Sequence, residues 1–199
     1  MKNKYSFSET LKNIYSLVLT KIFFKRARLI RRPFYCRGKK WLEIDEGFTT
    51  GYACRFDILG NENDNLKKLI FGKNCCIGDY VHIVASERVS IGSNVLMASK
   101  IFISDTNHGE YSGDKQSDPN IPPNERLLIA KPVKIGDNVW IGDNVVVLPG
   151  VSIGSGSIIG ANSTVNKNIP QNCIAVGSPA KVVKKYDKKD RKWIRKEND

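Results

Sequence analysis

Two histidines, His82 and His108, are the side chains of this 199-residue chain best suited to carry a proton near neutral pH. His108 closes the stretch Ser104-Asp105-Thr106-Asn107-His108-Gly109. Asp105 stands three residues ahead of it. A carboxylate so spaced can orient an imidazole, as in a Ser-His-Asp triad. Aspartate also opens turns by bonding its own backbone, and spacing leaves both roles open. Trp140 is the third residue of interest, because an outward tryptophan is uncommon unless it stacks on a ligand or a subunit. Metal chemistry is not expected. A zinc hydratase site needs three histidines, and the chain has two. The five cysteines (Cys36, Cys54, Cys75, Cys76 and Cys173) form no C-x-x-C pair, and they read as small residues in a reducing cytosol.

What positions these residues is a repeat. Residues 135–170 divide into six hexads, IGDNVW, IGDNVV, VLPGVS, IGSGSI, IGANST and VNKNIP. The first residue of each is Ile or Val and the fourth is Asn or Gly. One inward aliphatic per six residues stacks on its counterparts about 4.8 Å above and below. A corner every six residues needs positive φ, which Gly adopts freely and Asn tolerates. Three flat sides make a triangular coil of 18 residues, an all-β solenoid.

The same signature recurs upstream. Its leading apolar residues are Ile44, Phe71, Ile91, Ile135 and Ile153, spaced by 27, 20, 44 and 18 residues. About five coils follow, with insertions within 59–68, near 84–88 and, the longest, at about 109–134. His108 ends a hexad at the mouth of that long loop. Excursions of such length from a compact domain usually carry function.

Charge is distributed unevenly. Residues 1–40 hold 12 Lys/Arg and one acid, residues 181–199 hold 9 and 4, and residues 41–180 hold 11 and 15. A mildly acidic middle argues against a nucleic-acid partner. Ser6-Phe7-Ser8-Glu9 fits a capping box, and Leu11, Ile14, Tyr15, Val18 and Ile22 follow helical spacing. The expected organisation is a basic helical segment over 1–40, a β-helix over 41–183 and a basic C-terminal helix over 184–199. The N-terminal helix has two readings, a contact with the membrane surface and a cap across the end of the solenoid. The apolar run 14–24 is too short and too interrupted to span a membrane, so a cytoplasmic protein is expected, with peripheral contact at the inner membrane face as the extension of the first reading.

The stretches Ser104–Gly109 (SDTNHG), Lys131–Gly142 (KPVKIGDNVWIG) and Ile153–Lys184 (IGSGSIIGANSTVNKNIPQNCIAVGSPAKVVK) resemble the hexapeptide-repeat acyltransferases, in particular bacterial O-acetyltransferases acting on sugars. With the coils from Phe71 onward the resemblance spans roughly two-thirds of the chain. It implies a left-handed β-helix, a homotrimer with active sites between subunits, acetyl-CoA as co-substrate and no metal. His108 would be the general base and Asp105 its partner. His82 and Asn107 would face the acceptor. Trp140 would contact acceptor or cofactor. Gly142 and Ala161 match positions where the family's backbone meets the pantetheine arm, and Lys167, Lys181 and Lys184 match basic positions near the cofactor phosphates. The N-terminal region differs from that of the maltose-type enzymes, so no acceptor-binding residue carries over from it. O-acetylation of a surface polysaccharide, of lipopolysaccharide or capsule, or of its precursor is the expected function. N-acetylation of a nucleotide-linked amino sugar and a non-catalytic β-helix scaffold are the alternatives.

Overall fold

The computed structural model describes residues 5–61 and 63–195. Three parallel walls form a triangular solenoid. The first wall stacks Leu29–Ile30, Thr49–Thr50, Cys76–Ile77, Leu96–Met97, Trp140–Ile141, Ile158–Ile159 and Cys173–Val176. The second stacks Phe34–Arg37, Cys54–Ile58, His82–Ala85, Phe102–Ser104, Val146–Val147 and Thr164–Val165. The third stacks Leu42–Ile44, Leu69–Phe71, Val89–Ile91, Val133–Ile135 and Ser152–Ile153. Leu29–Arg37 thus adds wall strands ahead of the five coils counted from the repeat.

The hexad leaders make the core. Ile135, Ile141, Val147, Ile153, Ile159 and Val165 are all buried. Asn138, Asn144, Gly150, Gly156 and Asn162 take positive φ at the corners. Asn168 departs from the pattern; its side-chain oxygen accepts from Ser152 N at 2.8 Å instead. Corners are also tied coil to coil. Ser93 N donates to Asp137 Oδ1 at 2.7 Å, Asp137 N to Ser155 Oγ at 3.0 Å, and Ser99 N to Asp143 Oδ1 at 2.9 Å. These bonds satisfy corner N–H groups that no wall strand can reach. At the N-terminal end, phenylalanines replace aliphatics. Phe34 packs on Phe24 and Phe56, and Phe71 on Phe56 and Phe48, with centroids 4.7–5.7 Å apart.

Helix α1 (Phe7–Phe23) starts at the expected capping box, with Ser6 as N-cap and Glu9 reaching back to it. It lies over the open first coil. Ile30 N donates to Thr20 Oγ1 at 2.8 Å and Arg32 N to Ser16 Oγ at 3.2 Å. Two hydroxyls thereby satisfy an edge that would otherwise invite another strand. No helix among the described residues is long and apolar enough to cross a membrane.

The C-terminal segment corrects the sequence expectation. The sequence predicts a helix over 184–199. Lys181–Asp187 and Lys192–Arg195 are instead antiparallel strands that extend the first wall beyond Cys173–Val176; residues 196–199 lie outside the described residues. Val182 and Val183 are half-buried, and Tyr186 packs edge-on against Trp193. The open edge of Cys173–Val176 offers main-chain partners that an isolated charged helix would lack.

Candidate active site

All three insertions emerge at one corner, between the second and third walls. Residues 59–68 and 86–88 form two of them. The third leaves the second wall after Ser104 and rejoins the third at Val133, so it begins a few residues earlier than the spacing of coils indicates. The corner is knit together. Lys68 Nζ donates to Ser86 O at 2.7 Å. Arg37, Trp41, Ile58, Asn61, Lys68 and Ser86 line a recess of about 460 Å³ there.

The long insertion is an arm with internal structure. Thr106–His108 pairs antiparallel with Leu128–Ala130, and Lys131 N donates to Asp105 O at 2.7 Å. Gly109 has φ +106°, and a Cβ there would come within 2.8 Å of Ser117 Oγ and Tyr111 Oη. Only glycine fits such a turn. Tyr111 Oη donates to the His108 carbonyl. Arg126 locks the arm. Its guanidinium donates to Tyr111 Oη at 2.8 Å, Ile121 O at 2.8 Å and Pro119 O at 3.0 Å. The imidazole of His108 is exposed. Thus the arm fixes the backbone of His108 and leaves the ring to solvent, where it can meet a hydroxyl.

Asp105 does not orient that ring. It is fully buried, and its carboxylate accepts from Ser86 N at 2.8 and 3.0 Å, Glu87 N at 2.8 Å and Arg88 N at 2.8 Å. Three residues of extended chain span about 10 Å, and all the bonds of this carboxylate go to the neighbouring coil. Asp105 is therefore the anchor of the neighbouring coil's corner, at the root of the arm.

His82 lies on the second wall, next in register to Phe102. Its Nε2 meets Asp57 Oδ2 at 3.0 Å, and its ring packs edge-on against Phe102. Asp57 also pairs with Arg55 at 2.6 Å and Arg37 at 3.5 Å. Partial burial alone would raise the Asp57 carboxyl, but hydrogen bonds from Arg55 and His82 and the charges of Arg55 and Arg37 outweigh it and hold it below the usual aspartate range. Asn107 is exposed on the arm beside His108.

The positions matched to the cofactor are spread over the first wall, its corner with the second and the C-terminal end. Trp140 is 50% exposed on the first wall, in an outward row with Leu96 and Ile158. Gly142 follows at the corner between the first and second walls. A Cβ on Gly142 would approach Ala161 N to 2.7 Å, so glycine keeps the two coils in contact there. Ala161 is exposed at the same corner of the next coil. Lys167, Lys181 and Lys184 are exposed at the C-terminal end of the solenoid. Burial pushes the thiols of Cys36, Cys54 and Cys75 up to about 11, so these three stay protonated and are poor nucleophiles.

Sequence reasoning missed Tyr111, Arg126 and Asp57. The first two lie in the arm, outside any period. Asp57 sits on the second-wall strand that pairs with the strand of His82, and only the contact between their side chains reveals it.

This solenoid, with its single long arm, is that of a hexapeptide-repeat transferase. The family model "bacterial transferase hexapeptide (six repeats)" matches residues 132–167. WbbJ of Escherichia coli K12, named for O-acetyl transfer in lipopolysaccharide biosynthesis, is 40% identical over 97% of this chain and 96% of its own. Galactoside O-acetyltransferase of Escherichia coli is 32% identical over 87% of this chain and 74% of its own. The chain belongs to the hexapeptide-repeat acetyltransferases and is an acetyl-CoA-dependent acetyltransferase. Two solved structures share the fold, and with the family they imply a left-handed β-helix. One is a Vibrio cholerae hexapeptide-repeat acetyltransferase complexed with acetyl-CoA, with TM-score 0.58, 23% identity, and coverage of 92% of this chain and 80% of that one. The other is AntD of Bacillus cereus, an N-acyltransferase complexed with coenzyme A and dTDP-4-amino-4,6-dideoxyglucose, with TM-score 0.56, 23% identity, and coverage of 96% and 94%.

Proposed function

We propose that the protein transfers acetyl from acetyl-CoA to a sugar hydroxyl of a surface polysaccharide, lipopolysaccharide O-antigen or capsule, or of its precursor, with His108 as general base. The observation that carries this reading is the arm, which holds the His108 backbone through Tyr111 and Arg126 and leaves the imidazole exposed. The kinship with WbbJ supports the acceptor class.

In this mechanism the acceptor hydroxyl gives its proton to His108 as its oxygen attacks the thioester carbonyl. The tetrahedral oxyanion collapses, the C–S bond breaks, and His108 returns the proton to the departing sulfur. No metal and no acyl-enzyme are needed. Proximity supplies much of the acceleration, and backbone N–H groups of a neighbouring coil can stabilise the oxyanion. Gly142 and Ala161 would flank the pantetheine arm, Lys167, Lys181 and Lys184 would neutralise phosphates as flexible point charges, and Trp140 would stack on cofactor or acceptor. His82 and Asn107 would face the sugar, with the His82–Asp57 pair keeping that wall rigid.

In one chain the His108 arm and the Gly142–Ala161 corner stand at opposite edges of the second wall. A homotrimer that sets the arm of one copy against the groove of the next closes that gap. The outward apolar row of Leu96 and Trp140 supports such packing. We place the enzyme in the cytoplasm, where acetyl-CoA is made.

A second reading is N-acylation of a nucleotide-linked amino sugar, which the fold likeness to AntD supports. Coenzyme A release, measured over paired hydroxyl and amine sugar acceptors with wild type and His108→Ala, separates the two. Turnover only with amines overturns O-transfer, and undiminished turnover in His108→Ala overturns the assigned base.

A further inference from the structure

Helix α1 is turned inside out. Its buried residues are Ser16 and Thr20. Phe7 is 80% exposed, and Leu11, Ile14, Tyr15, Val18 and Ile22 are each more than half exposed. At 100° per residue these six fall on one strip, opposite Ser16 and Thr20. The usual surface helix buries its apolar stripe. Here the edge of the first coil claims the polar face, because its N–H groups need the two hydroxyls, and the apolar face looks away along the solenoid axis.

We propose that this face inserts into the interface of an anionic bilayer and stands the solenoid on the membrane by its N-terminal end. Three observations favour a membrane over a second copy of the chain. The strip lies at the end of the axis, where copies packed side by side along their walls do not reach. The described chain around it is strongly basic, with 10 Lys/Arg and one acid in residues 5–40, and a second such surface would repel it. Lys12 and Lys21 border the strip on the helical wheel. Just past the helix, Lys25, Arg26 and Lys39 line a recess of about 170 Å³ with Phe24, Leu42 and Ile44. Lys39 Nζ sits 4.6 Å above the centre of the Phe24 ring. An apolar strip ending at a cationic recess matches the acyl and headgroup layers in turn. Membrane docking goes beyond the proposed acetyl transfer and does not depend on it. It would bring His108 toward a lipid-linked acceptor.

Vesicle co-sedimentation of the full chain tests this without turnover. Wild type should bind phosphatidylcholine vesicles containing phosphatidylglycerol and should not bind phosphatidylcholine alone; raising salt should weaken the binding. The double variant Ile14→Ser, Val18→Ser leaves the Ser16 and Thr20 contacts in place and should bind about tenfold more weakly. Lys25→Gln should also weaken binding, selectively on anionic vesicles. Circular dichroism and thermal melting of each variant establish that it is folded. Equal binding to both vesicle types, binding to neither, or undiminished binding by the double variant overturns the proposal. So does a drop in solution mass by light scattering in the double variant, which would make the strip a subunit contact.

Discussion

His82 and His108 occupy two regions built on opposite plans. On the wall, His82 has its ring engaged: Asp57 holds one nitrogen and Phe102 makes an edge-type contact with the ring. On the arm, the polar groups around His108 hold its main chain and none of the described residues holds its ring. A side chain tied at the ring is a structural strut. One tied at the backbone has its origin held in place while its ring atoms remain open to solvent. The same contrast separates the two aspartates. Asp57 serves side chains, and Asp105 serves three backbone N–H groups.

The comparison breaks most easily at the histidines. His108→Ala should lower kcat/KM by about 10²–10⁴, the range of a lost general base, with the melting temperature unchanged. His82→Ala should cost less than about tenfold in kcat/KM, and equal losses at both positions would erase the distinction. Asp105→Ala strands the N–H groups of residues 86–88, which turn in toward the buried carboxylate. It should destabilise by about 3–5 kcal/mol, seen as a melting temperature lower by roughly 10 °C. Should Asp105→Ala instead abolish activity at full stability, it would belong to the chemistry after all. Arg126→Met loosens the arm and should reduce kcat by about tenfold while leaving KM for acetyl-CoA unchanged.

The smallest effect is a matter of pH. The folded Asp57 carboxyl titrates below its ordinary value. Its contribution is therefore full above the unfolded aspartate pKa of about 3.9 and is lost as pH falls through the lower folded value. Wild type should exceed Asp57→Asn by roughly 1 kcal/mol at neutral pH, and the gap measured by urea unfolding should close in acid.

The walls were legible because each hexad leader must face inward and each corner must turn, which writes a period into the chain. Legibility failed where that constraint lapsed. The strands within Leu29–Arg37 pack Phe34 between Phe24 and Phe56 and so lack the aliphatic period. The strands at 181–195 are made by an open edge, a tertiary demand that leaves little trace in a run of lysines. The long interruption that carries His108 was legible from its length. The supports of the His108 backbone were not, since Tyr111, which bonds its carbonyl, and Arg126, which bonds Tyr111, lie in a loop with no repeat. Asp105 shows the opposite error, in which nearness along the chain suggested nearness in space.

The ties between corners skip the arm entirely. Ser93 N bonds Asp137, 44 residues onward, with the same geometry that links coils 18 apart. Lys131 N closes the arm's root on Asp105 O, and Val133 N meets Arg88 O at 3.0 Å. Architecturally, the arm is a cartridge in a socket. Its length and lining can drift through evolution, or be exchanged by design, while the scaffold keeps its register. Under the function proposed above, new acceptors can then be sampled without rebuilding the coils.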